Sequence, residues 1–234
     1  MINSWGSGSS PLAGKRVLVV GTGKMGVAAA AHARAHGAEV TLSSRSEQRL
    51  AEVGPALPGV MLVAADPEDA EQAVDLLERL QPLDHVAVLA GGASVSRAYG
   101  IANTPAGEAQ RSFARFWLSY HLLQAAGGRI RPGGSVTLLS GSSSRRPSDG
   151  RGFWGTLHGA IEALGRNAAF ELAPVRVNTV SPGGIGVTPM NRQLVPHRGQ
   201  PDDVAAMVVS LMGNPAVTGT VVDVDGGEFL GTFE

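Results

Sequence analysis

Seven short runs rich in valine and leucine recur at residues 17–20, 39–43, 60–64, 86–89, 135–140, 175–180 and 220–224. Most of the segments between them carry apolar residues at helical spacing, so the pattern is that of a βαβ series. The runs are unbroken where a half-exposed strand would alternate, as expected when helices cover both faces of a parallel sheet. The expected fold is α/β, a doubly wound, seven-stranded parallel sheet with helices on both faces. Ligands of such sheets sit beyond the carboxyl ends of the strands. Chemistry is therefore to be sought in the segments at 21–26, 43–46, 65–67, 90–93, 141–152 and 181–190.

The first of these segments is Gly21-Thr22-Gly23-Lys24-Met25-Gly26, between Val17-Leu18-Val19-Val20 and an alanine-rich stretch, Val27 to Ala35, that reads as helix. Glycine there opens backbone angles closed to other residues and lets the main chain approach a pyrophosphate, whose charge then faces a helix N-terminus. The spacing, with a strand before and a helix after, is that of a Rossmann-type dinucleotide site. A tight strand-to-helix turn without a ligand is the alternative.

With 234 residues, 43% of them hydrophobic, the chain can bury a sizeable core, and we expect one domain over 13–234 behind a flexible leader, 1–12, around Gly6-Ser7-Gly8-Ser9-Ser10. A net charge of -1 with no long basic block argues against nucleic acid, which is bound by neutralising phosphates. No apolar stretch reaches the roughly 20 residues of a membrane span, and the opening residues lack a signal-peptide pattern. The expectation is a cytoplasmic protein acting on a small molecule. No cysteine is present and the six histidines lack paired ligand spacing, so no metal centre is expected.

The second run ends in Ser43-Ser44-Arg45, with no acid to take the adenosine ribose hydroxyls of NAD. Arg45 can pair with a 2′-phosphate and stack on adenine, while Ser43 or Ser44 donates a hydrogen bond, which favours NADP(H). A solvated arginine opening the next helix is the alternative. Asp66 suits either the adenine amino group or the N-cap of a helix beginning at Pro67.

From about Lys15 to Glu228 the chain resembles the short-chain dehydrogenase/reductases. The resemblance rests on Glu171-Leu172-Ala173-Pro174-Val175-Arg176-Val177-Asn178-Thr179-Val180-Ser181-Pro182-Gly183, then Thr188-Pro189-Met190, then Val224-Asp225-Gly226-Gly227. It implies that Pro182 and Gly183 pack against nicotinamide and that Thr188 contacts its carboxamide or the pyrophosphate. Ala90-Gly91, followed by Gly92, resembles the end of the family's Asn-Asn-Ala-Gly turn, with Val88-Leu89 in place of the asparagines. The first glycine turn is one residue shorter than the family's. The resemblance also implies a homodimer or homotetramer built through helices near 109–126 and 153–172.

The family's catalytic pattern is broken. Its Tyr-x-x-x-Lys, counted back from Glu171, falls on Trp154 and His158, and an indole N–H is far too weak an acid to replace a phenol. Tyr99 and Tyr120, the only tyrosines, are not obvious substitutes. The family's serine falls on Gly141, with Ser142 nearest, and its asparagine falls near Arg115.

Trp154, Leu157, His158, Ile161, Gly165, Ala168 and Leu172 share one helical face. His158 can bond the nicotinamide ribose, act as general acid near neutral pH, or be a buried histidine satisfied by a backbone carbonyl. In the loop from Arg145 to Arg151, Arg145 or Arg146 can grip an anionic substrate group, and Asp149 can serve as acid or base if desolvated, against plain surface solvation. The short stretch from Met190 to Pro201 leaves little room for a lid. Three functions fit: an NADPH-dependent reductase of a carbonyl, imine or activated alkene; a non-redox cyclase, isomerase or dehydratase; and an NADP(H)-binding regulator.

Overall fold

The computed structural model describes residues 10–90, 100–186 and 193–230. Among them, β1 (Arg16–Val20), β2 (Glu39–Ser44), β3 (Met61–Ala64), β4 (Leu83–Val88), β5 (Ile130–Leu139), β6 (Arg176–Pro182) and β7 (Val221–Val224) form one sheet in the order β3-β2-β1-β4-β5-β6-β7. Every neighbouring pair is parallel. Parallel neighbours cannot be joined by tight hairpins. Helices accordingly lie between strands along the chain: α1 (Lys24–Ala35), α2 (Glu47–Val53), α3 (Ala70–Leu80), α4 (Ala106–Ala126), α5 (Gly152–Glu171) and α6 (Pro201–Gly213). The doubly wound parallel sheet expected from the apolar runs is the observed fold.

Successive strand side chains face opposite sides, and each side of this sheet has its own core. Leu18 and Val20 pack with Leu76, Leu122, Leu157 and Ile161 from α3, α4 and α5. Val17 and Val19 pack with Ala30, Ala33, Val204 and Val208 from α1 and α6. Both faces are covered, which is why the strand sequences are unbroken runs.

Two boundaries differ from expectation. β5 begins at Ile130, ahead of the run at 135–140, because Arg131-Pro132-Gly133-Gly134 reads as a turn yet continues the strand through a register shift between Leu83 and His85. Leu12, placed in the leader from sequence, is fully buried in the core beside α1 and α6, and the Ser10 hydroxyl donates to the His36 carbonyl at 2.5 Å. The packed chain thus starts before residue 13, since an apolar side chain reaches the core from what composition alone marks as linker. Residues 1–9 lie outside the described set.

From β3 the chain returns across the sheet to β4, on the other side of β1, so the strand order reverses between β1 and β4. The two carboxyl ends meet there. A β-carbon on Gly21, whose φ is +122°, would lie 2.6 Å from the Ala90 nitrogen. Only glycine fits this approach, and a crevice opens beside it.

Candidate active site

A cavity of about 490 Å³ lies at this switch point, lined by Gly21, Thr22, Gly23, Ser44, Arg45, Asp66, Ala90 and Arg115 among others. Its size suits a cofactor. The glycines of the loop have different tasks. A β-carbon on Gly26 would collide with the Gly21 carbonyl oxygen, so Gly26 closes the turn onto α1. Gly23 is the N-cap of α1, no side chain caps that end, and nothing lies within 4 Å of where its β-carbon would stand. An uncapped helix N-terminus beside an open, charged-group-sized cradle fits a pyrophosphate. Lys24 is exposed and Met25 packs toward the α1–α6 core.

Beside this loop, Ser44 Oγ accepts from Thr22 Oγ1 and from the Ser46 amide, each at 3.3 Å. Ser43 is buried. Arg45 Nη1 pairs with Glu68 Oε1 at 2.9 Å. Arg49, one helical turn beyond Arg45, also lines the cavity; it pairs with Glu52 at 2.5 Å and reaches the Thr22 carbonyl at 3.5 Å. Asp66 lines the cavity and its Oδ1 accepts from the Glu68 amide at 3.2 Å. It caps no helix at Pro67: α3 begins at Ala70, and the Asp69 carboxylate caps it by accepting from the Glu71 and Gln72 amides. The Asp66 carbonyl instead accepts from the Asp69 amide and turns the chain before the helix starts. Glu68 and Arg49 were not among the expected site residues. Their signals were the i+4 spacing from Arg45 and a second acid two residues past Asp66.

Arg115, which lines the cavity, leads to His158 on α5 behind it, and His158 is held by two side chains. Its Nδ1 lies 2.9 Å from Ser143 Oγ, and its Nε2 lies 3.5 Å from Arg115 Nη1, a long contact. Arg115, on α4 and only 8% exposed, donates through Nη2 to the Leu139 carbonyl at 2.7 Å. No carboxylate forms an ion pair with it among the described residues. Burial pushes the Arg115 guanidinium down to about 10, which leaves it charged at neutral pH. Burial first, and then the charges of Arg115 and Arg151, hold His158 down at about 3.

The imidazole is therefore neutral at pH 7, and the expected general acid titrating near neutrality does not fit this environment. Nor is His158 satisfied by a backbone carbonyl. Arginine can only donate, so the contact assigns acceptance to Nε2 and the proton to Nδ1, which donates to Ser143. Trp154 packs beside this ring with centroids 5.8 Å apart. Arg115 follows the helical spacing of Leu118 and Leu122, which marked its position as inward.

The arginine loop is committed to the fold. Arg145 forms a two-pronged ion pair with Asp223, donates to Ser181 Oγ at 2.9 Å, lies 3.6 Å from Glu162 and stacks over Phe229 at 4.9 Å. Its bond to Asp223 foremost raises its pKa. Buried Glu162 accepts from Ser140 at 3.0 Å and Ser144 at 2.6 Å, so one polar net ties β6 and β7 to α5. Arg145, expected to grip a substrate anion, is held here by Asp223 and Ser181, and Arg146 donates to the Glu228 carbonyl. Asp149 is exposed, so the desolvation its acid–base role required is missing. Ser142 is partly buried in the short 3-10 turn Ser142–Ser144, but it is Ser143 that meets His158. Pro182 ends β6, and the turn at Gly183 is held by the Glu228 carboxylate, which accepts from the Gly184 amide at 3.1 Å. Gly91, Gly92, Tyr99 and Thr188 lie outside the described residues.

Residues 22–228 match the family model described as Enoyl-(Acyl carrier protein) reductase. The chain belongs to the short-chain dehydrogenase/reductase family. This dehydrogenase/reductase is 28% identical to the short-chain dehydrogenase/reductase ATR9 of Stachybotrys chlorohalonatus, over 93% of its own length and 98% of that protein. It is 29% identical to L-xylulose reductase of Mus musculus, over 94% and 98%. Among solved structures it superposes on a Brucella melitensis short-chain dehydrogenase/reductase with a TM-score of 0.84, at 23% identity over 96% and 100% of the two chains. The MalC reductase/Diels-Alderase of Malbranchea aurantiaca gives 0.81 at 24% identity over 94% and 98%. At these identities the structures show a shared fold. The family binds a nicotinamide coenzyme and consists mostly of oxidoreductases.

Proposed function

We propose that this short-chain dehydrogenase/reductase is an NADPH-dependent reductase of a small-molecule carbonyl, imine or activated alkene that works without an acidic side chain at the reacting centre. The observation that carries this reading is the buried Arg115 guanidinium, which lines the cavity, has no carboxylate partner among the described residues and contacts neutral His158. When bound, the nicotinamide supplies a hydride. Gly21, Thr22 and Gly23 with the α1 N-terminus hold the pyrophosphate, Ser44 and Arg45 the 2′-phosphate, and Asp66 the adenine. Ala90, Pro182 and Gly183, with Gly91, Gly92 and Thr188 by resemblance, shape the nicotinamide half.

Arg115 contributes positive potential in a poorly solvated place, where it stabilises charge far better than at the surface. That potential favours acceptors that gather negative charge on oxygen, a carbonyl or a conjugated alkene, over an iminium that arrives positive. Ser143, polarised by the Nδ1–H of His158, hydrogen-bonds the reacting oxygen, and water delivers the proton that completes the reduction. Trp154 offers a flat apolar wall for the substrate. The test is NADPH oxidation against a panel of ketones, enones and iminium compounds, with enones or ketones expected to turn over; a bound coenzyme that is never oxidised would overturn the reading.

A second reading, non-redox bond formation, is favoured by the aromatic Trp154 wall without an acid beside it and by the reductase/Diels-Alderase title of the Malbranchea aurantiaca relative. Product mass separates the two. Reduction adds two hydrogens and consumes coenzyme, and cyclisation does neither.

A further inference from the structure

We propose that Glu68 determines coenzyme specificity: it competes with the 2′-phosphate for Arg45, so the Arg45–Glu68 pair is a latch that NADPH must open and NADH need not. The proposal rests on the dinucleotide reading of the cavity given above. Both residues line that cavity and pair at 2.9 Å. Glu68 is fixed at its main chain, where its amide donates to Asp66 Oδ1, whereas its carboxylate has Arg45 as its only side-chain partner among the described residues.

The charge balance at this end of the cavity is what makes the competition matter. The cavity lining holds three guanidinium groups and two carboxylates, Asp66 and Glu68; one of the three, Arg115, is turned to the Leu139 carbonyl and His158, which leaves Arg45 and Arg49 against the two acids. Arg49 is itself paired with Glu52. A phosphate arriving beside Arg45 therefore meets no surplus of positive charge, and it must displace one carboxylate while remaining close to it. A ribose 2′-hydroxyl, by contrast, can donate to Glu68 with the ion pair intact.

The side chains of Arg45 and Glu68 are 50% and 30% exposed, so the latch is weak and can open in water. Exposed pairs are worth up to about fivefold in an equilibrium constant. Relief of like-charge repulsion between Glu68 and a bound phosphate adds a comparable factor, and the two together give about tenfold at low salt.

The experiment is calorimetric titration of the intact chain and of Glu68→Gln, Arg45→Leu and the double variant with NADPH, NADH, adenosine 2′,5′-bisphosphate and AMP. Glu68→Gln is expected to tighten NADPH and the bisphosphate about tenfold while NADH and AMP change less than about twofold. In the Arg45→Leu background that gain is expected to shrink, because only the repulsion is left to relieve. An equal change for both coenzymes, a weaker NADPH, or an undiminished gain without Arg45 would each overturn the latch. If NADPH binds as expected but no acceptor is reduced, the latch stands and the reductase reading falls. If none of the four ligands binds any variant, both fall.

Discussion

The imidazole of His158 occupies the space a side chain at residue 141 would fill: a β-carbon on Gly141 would lie 2.6 Å from its Cε1 and 2.8 Å from its Nδ1. Gly141 has φ -179° and ψ 156°, extended backbone open to any residue, so the constraint is contact with the ring alone. Gly141→Ala is expected to cost about 1–3 kcal/mol of stability through overpacking. Combined with His158→Ala, most of that cost should vanish, giving a coupling of at least about 1 kcal/mol in a denaturation cycle. Additive effects would show that the ring does not hold this position.

Arg115 is a buried cation without a counter-charge among the described residues, an arrangement that costs stability. Arg115→Met should leave the unfolding free energy within about 1 kcal/mol of the parent, or raise it, while lowering kcat about a hundredfold. Paired measurements of urea unfolding and NADPH turnover check this. Loss of folding together with activity would assign Arg115 to the core instead.

Two histidines, buried His85 and partly buried His158, make stability depend on pH. Burial foremost holds His85 at about 4 and His158 at about 3, against 6.5 when unfolded. Below about pH 6.5 the unfolded chain takes up protons that the folded chain refuses, so stability falls as pH falls. The slope is roughly 1.4 kcal/mol per pH unit for each histidine between pH 6 and 4.5. Without coenzyme, His158→Gln should show about half the parent's slope in that window, measured by urea unfolding at a series of pH values.

The helices expected to mediate assembly carry large apolar side chains facing outward. On α4 Trp117 is 50% and Tyr120 41% exposed, in edge contact at 6.0 Å, and Phe170 near the end of α5 is 87% exposed. Water disfavours such surface, and a second copy of the chain covers it in our reading. The 24.0 kDa chain should elute at two or four times that mass in light scattering, and Trp117→Glu with Phe170→Glu should shift it to one. A monomeric parent would remove this interface.

Much of the cavity lining was legible in sequence because it is built locally. Gly21, Gly23 and Gly26 stand in one turn, and Ser44, Arg45 and Asp66 each follow a strand that the apolar runs already marked. The reacting end was less legible, since its contacts join residues far apart in the chain. Arg145 and Asp149 look alike in sequence as charged loop residues, yet one is locked to Asp223 on β7 and the other faces water. Ser142 and Ser143 differ only in which of them the 3-10 turn aims at His158.

By itself the sequence determined the parallel sheet and the glycine turn at its switch point, because periodicity and turn glycines are properties of neighbouring positions. Only the tertiary structure decided that His158 is neutral, that Arg115 has no carboxylate partner among the described residues and that Glu68 lies against Arg45. Desolvation and Coulomb energy depend on distance in space, and folding sets those distances between residues 43 positions apart in one case and 23 in the other.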